Sequence, residues 1–228
     1  MALLASDVLT RVREQLVDQD PTVRWTDAEL LRHISDAQRT IAAMQPDTAN
    51  KIAIVTLAAG TRQTLPADGT QLLGVTRNIA PDGVTPLRAV RIVRRDIMDD
   101  QNPNWHADAR VAVVYNYIFD PMDQRAYYVY PPSNGTTKLE INYAFAPAEV
   151  LTGAAALAYG DTYITPITDY VLYRAHMKDS DFAAGQNKAN AYLDAFKMFM
   201  QGVDASEAET SPNLQTMPFN PGVKGAAK

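Results

Sequence analysis

The chain has 228 residues, 46% apolar and 21% charged, with a net charge of −5 and no cysteine. That length can bury one or two cores in an ordinary globular composition, and the cysteine count excludes a disulfide framework or a thiolate metal site. The acidic balance argues against a sequence-reading nucleic-acid binder, which shows a basic face, and no apolar run nears the roughly 20 residues that span a bilayer.

The N-terminal Met-Ala-Leu-Leu-Ala-Ser-Asp lacks a basic n-region, so no signal peptide is expected. Residues 6–19 place Val8, Val12 and Leu16 on one stripe, the spacing of a helix capped by Ser6 and ended by Asp20-Pro21. Trp25 precedes a capping box, Thr26 to Glu29, and Leu30, Ile34, Ala37 and Ile41 follow as an apolar face until Gln45-Pro46. Alternation then shortens to period two. Strands are expected at 51–57, 62–65, 72–79, 87–93, 111–119, 126–130 and 138–145, with turns at Gly60, Asp68-Gly69 and Asp82-Gly83 and a hairpin connection at Pro131-Pro132-Ser133-Asn134-Gly135. Residues 94–100 read as a short helix and 101–110 as a polar loop. After a transition rich in Ala and Gly at 147–162, helices are expected at 166–178 and 186–201. From Asp204 the composition shifts to Ser, Pro, Gly, Asn and Ala, the signature of a tail, with Leu214, Met217 and Phe219 as its apolar anchors.

These periodicities predict an α+β fold. An α-helical bundle is built from residues 1–50 and 160–203, and an antiparallel β-sandwich or barrel occupies the inserted residues 51–159. Residues 204–228 form an extended tail. Surplus acid lies outside the insertion, which carries 10 basic and 10 acidic side chains over 51–150.

Little in the chain reads as catalytic. His33, His106 and His176 are far apart in sequence and form no HxxxH or HExxH pattern. The carboxylates at Asp96, Asp99, Asp100 and at Asp120 to Asp123 lack the alternation of a calcium loop, and there is no GxSxG, Walker or GxGxxG motif. No cofactor is expected. Arg88, Arg91, Arg94 and Arg95 form a basic cluster. On a continuous strand Arg88 and Arg94 would share one face, Arg91 and Arg95 the other, and the cluster reads as a solvated edge or a subunit contact. Tyr115, Tyr117, Tyr127, Tyr128, Tyr130 and Tyr143 read as packing aromatics rather than a base-stacking platform.

Several segments in order carry a resemblance: Arg24-Trp25-Thr-Asp-Ala-Glu-Leu-Leu31, Asp36-Ala-Gln-Arg39, Tyr128-Val-Tyr-Pro-Pro132 and Asp169-Tyr-Val-Leu-Tyr-Arg-Ala175, followed by Lys178-Asp179. The chain resembles the head-to-tail adaptor proteins of short-tailed bacteriophages, the tail tubular protein A type, over roughly residues 5–200. The resemblance implies a non-enzymatic virion protein, assembled in the host cytoplasm into a ring of about twelve copies between the portal protein and the tail nozzle. DNA would pass through its lumen without sequence-specific binding. Arg91, Arg94, Arg95, Leu214, Met217 and Phe219 are the candidate partner or subunit contacts. The competing readings are a carbohydrate-active or carbohydrate-binding module of a phage tail and a single-strand nucleic-acid binder.

Overall fold

The computed structural model describes residues 2–18, 24–178 and 183–210. A short strand β1 (Ala2–Leu4) leads into α1 (Ala5–Leu16), followed by α2 (Asp27–Met44). Strands β2 (Asn50–Thr56), β3 (Ala59–Thr64), β4 (Gly69–Ile79), β5 (Pro86–Ala89) and β6 (Arg91–Ile92) come next. A helix α3 (Arg95–Gln101) and a 3-10 turn (Trp105–Ala107) precede β7 (Asn116–Phe119), β8 (Ala126–Asn134), β9 (Lys138–Phe145) and β10 (Ala156–Gly160). The chain returns to helix in α4 (Ile164–Met177) and α5 (Ala183–Thr210).

The start of α1 departs from the sequence expectation. Ser6 sits inside the first turn, and the Asp7 carboxylate accepts the Leu4 N–H at 3.1 Å instead. The helix also stops three residues early, where Val17 takes a left-handed φ of 54° and turns its N–H back on the last carbonyls. At α2 the Thr26 hydroxyl accepts the Glu29 N–H at 3.3 Å, as the capping box predicts. Glu29 itself turns to Lys178, the residue just past α4, at 2.8 Å.

Helices α1, α2, α4 and α5 share one buried core, with Val8, Val12, Leu30, Ile34, Ile41, Ile167, Val171, Leu172, Phe196 and Met200 among its members. Buried polar side chains lock it. Trp25 donates its indole N–H to the Ala175 carbonyl, and Gln45 reaches the Met200 carbonyl on α5. The expected transition at 147–162 instead contains β10, antiparallel to β1, and its Leu157 and Tyr159 join this same core. Ser35 of α2 accepts the Val150 N–H at 2.9 Å, and Gln38 accepts that of Ala158 at 2.7 Å. Such bonds to otherwise unpaired backbone explain why an Ala-rich segment is held so firmly.

The remaining strands form two four-stranded sheets, ordered β2-β9-β4-β5 and β3-β8-β7-β6. Pairing is antiparallel except between β6 and β7, and no closed barrel forms among the described residues. Leu72, Val75, Leu139, Ile141 and Tyr143 of the first sheet meet Tyr127 and Val129 of the second to fill the sandwich. The second sheet is covered on its other face too. Met98 of α3 and Trp105 of the 3-10 turn bury Ile118 there, against Tyr128 and Tyr130. The stretch expected to be a polar loop thus carries a fully buried tryptophan.

Three strand expectations need correction. Residues 87–93 do not form one strand. The chain leaves the first sheet at Ala89 and joins the second at Arg91, with Val90 buried at the crossing. Most of 111–119 is irregular, because Asn78 of β4 replaces a strand partner there: its amide accepts the Val114 N–H at 2.9 Å and donates to the Val114 carbonyl at 2.8 Å. β8 runs through both prolines to Asn134, and the turn falls at Asn134–Thr137, where Gly135 takes a φ of 90°.

Candidate interaction surface

The crossing strand decides what the arginine cluster can do. Because it breaks at Val90 and bends into α3, the four arginines do not alternate on two faces. Arg94 pairs with Asp96 beside it at the start of α3. Arg95 reaches Asp99 at 3.5 Å and Asp120 at 3.9 Å, and lies over the Tyr128 ring. Arg88 stacks over Tyr115 with its guanidinium carbon 4.4 Å from the ring centre. Among the described residues only Arg91 of the four has neither an ion pair nor a ring beneath it. Two of the three nominated arginines are therefore neutralised within their own chain.

The apolar surroundings of this edge are not legible as a motif. Val84, Leu87, Ile92, Ile97 and Tyr115 are all exposed large side chains, Val84 at 79% and Ile92 at 60%. Between β6 and α3 runs a groove of about 680 Å³ lined by Ile92, Arg94, Ile97, Met98, Asn116 and Tyr130. The opposite lateral edge has its own apolar pair, Ile52 and Ile54 on β2, at 65% and 47% exposure.

The other candidate residues are bound into the architecture. Asp99 accepts the Trp105 indole N–H at 2.7 Å, Asp120 and Asp123 accept backbone N–H groups of their own turn, and Asp123 also meets Arg62. Tyr127 and Tyr143 are buried in the sandwich, while Tyr128 and Tyr130 meet the edge of Trp105. His106 stacks on Trp105 and bonds Thr61 at 2.8 Å, and His176 stacks on Tyr192. His33 is half buried beside Arg174, and burial with that positive charge lowers its pKa. Burial pushes Tyr159 up to about 12 and raises Asp169. No group of three or more His, Asp and Glu side chains able to hold a metal occurs among the described residues. No helix among them is long and apolar enough to cross a membrane.

The expected tail begins later than its composition suggests, because α5 continues through residues 204–210 as far as Thr210. Leu214, Met217 and Phe219 lie outside the described residues.

The chain belongs to the SU10 adaptor protein family, whose model matches residues 4–216. No curated protein matches it. Membership points to a phage structural adaptor protein, a virion component that interacts with other virion proteins.

Proposed function

We propose that this chain is a head-to-tail adaptor. Copies of it, about twelve, close into a ring that joins the portal protein to the tail nozzle and forms part of the channel through which DNA leaves. In this reading residues 1–50 and 160–203 act as a helical bundle domain that packs between neighbours and against the portal. The inserted β domain, residues 51–159, broadens the ring or meets the nozzle. Arg91 and the apolar groups around it are the interface residues of the insertion; Arg94 and Arg95 shape it through their intrachain pairs. Leu214, Met217 and Phe219 anchor the C-terminal segment on a neighbour or on the portal. The observation that carries the reading is the family match over residues 4–216. The net charge of −5 suits a channel past which phosphate slides without sticking.

The test is native mass analysis with electron microscopy of the purified chain, alone and with the portal protein of the same virus. A ring near twelve copies in either sample is the expected result. A monomer in both overturns the reading. Truncation after Thr210 keeps α5 whole and is expected to weaken assembly; a truncated chain that assembles normally removes the anchoring role.

A further inference from the structure

Two cores fill this chain, and little joins them. No helix of the helical core packs along a strand of the sandwich among the described residues. The side-chain bonds that lock each part stay within it: Gln45 to Met200 and Ser35 to Val150 among the helices, Asn78 to Val114 and Arg77 to Glu140 in the sandwich. Phe145, at the end of β9, is the one apolar side chain among the described residues that packs against both cores.

Two short linkers carry the chain across. The first leaves α2 at Gln45, whose side chain is tied to the Met200 carbonyl, and ends at Ala49, whose carbonyl accepts the Phe145 N–H at 2.9 Å. The second starts at Ala146, which donates to the Asp68 carbonyl at 3.1 Å, and ends at Val150, which donates to Ser35. Residues 46–48 and 147–149 lie between these anchors, and each trio begins with a proline. The first trio is a turn closed by Thr48 on the Gln45 carbonyl. The second makes no backbone hydrogen bond among the described residues.

Beside the linkers the packing stops. A cleft of about 360 Å³ opens between Ala43 and Pro46 on the helical side and Gln71 and Gln124 on the sandwich side, with Phe145 in its wall. Protein interiors leave few voids larger than a water molecule, whose share of liquid volume is about 30 Å³. The two parts therefore meet along a line rather than across a packed face. Parts of a chain joined in this way move relative to each other unless a large apolar interface stops them, and hinges are a few loop or element-terminal residues.

We infer that the sandwich swings as a rigid body on the helices about residues 46–48 and 147–149, with Phe145 as its pivot and the cleft as the space it swings into. In the ring proposed above, the swing lets the insertion tilt while the helices keep their contacts. It is a property of the single chain and does not need the ring.

The chain has no cysteine, so introduced cysteine pairs can carry spin labels without background. Glu14, Thr56, Asp100 and Asn190 are exposed. The pair Glu14→Cys and Thr56→Cys spans the joint. Glu14→Cys with Asn190→Cys stays among the helices, and Thr56→Cys with Asp100→Cys stays in the sandwich. Pulsed electron–electron distance measurements on the full chain, diluted in unlabelled chain, should give a spanning distribution at least about twofold broader than either internal one. Ala43→Leu adds bulk to the cleft and should narrow the spanning distribution. Phe145→Ala removes the pivot and should broaden it further, with both internal pairs unchanged. A spanning pair as narrow as the internal pairs overturns the inference, and so do internal pairs as broad as the spanning one. A spanning distribution unmoved by Ala43→Leu overturns the role of the cleft. A chain that swings but never forms rings leaves this inference standing and removes the ring alone.

Discussion

Asn78→Ala tests the joint that sets the arginine edge. Asn78 is 1% exposed, and its amide makes three bonds, donating to the Arg88 carbonyl at 2.9 Å and the Val114 carbonyl at 2.8 Å and accepting the Val114 N–H at 2.9 Å. Alanine leaves the buried N–H and carbonyl of Val114 without these bonds and takes one from the part-buried Arg88 carbonyl. A typical bond contributes about 0.5–1.5 kcal/mol net, and an orphaned buried group costs about 1–3 kcal/mol. The expected loss is about 3 kcal/mol. For a chain of this size that lowers the melting temperature by about 2–4 °C per kcal/mol, so roughly 6–12 °C. The assay is urea denaturation in a Trp25→Phe background, where Trp105 is the remaining tryptophan and reports from the sandwich side. Asn78→Asp is the control. It keeps an acceptor for the Val114 N–H but loses both donors, so it should fail nearly as badly. A loss below about 1 kcal/mol in Asn78→Ala refutes the claim that this amide stands in for a strand partner.

Trp105→Ala removes the side chain that seals the outer face of the second sheet, together with its bond to Asp99 and its contacts to Tyr128 and Tyr130. It should cost about 3–5 kcal/mol and flatten the near-ultraviolet circular dichroism of those tyrosines; a loss under about 1 kcal/mol would mean the segment is not part of the core. Asp82 is held down at about 2 by the Thr85 hydroxyl and by the Val84 and Thr85 N–H groups. Its folded pKa lies below the unfolded value near 3.8, so its contribution to stability is present above that value and is lost as pH falls through about 2. Thr85→Val should raise the Asp82 pKa in a carboxyl NMR titration, and an unchanged titration contradicts the assigned cause.

Local rules in the sequence determined a good deal here. The Thr26 box, the stripe of Leu30, Ile34, Ala37 and Ile41, and the alternation of β2, β4 and β9 each follow from nearest-neighbour chemistry, and the elements stand where they predict. Tertiary structure decided what neighbours in sequence cannot. β1 and β10 exist because segments about 150 positions apart pair, so neither has a local signal. Trp105 is isolated in a polar stretch, and only the uncovered face of the second sheet makes it core. The arginine cluster read as alternating because a strand was assumed to continue. Burial of Val90 between two sheets broke that strand, and four like charges met four different fates. The edges of the sandwich follow the same logic. Ile52 and Ile54 are apolar in any reading of the sequence, but whether they face a core or water depends on strand order, and strand order is fixed by contacts between residues far apart in the chain.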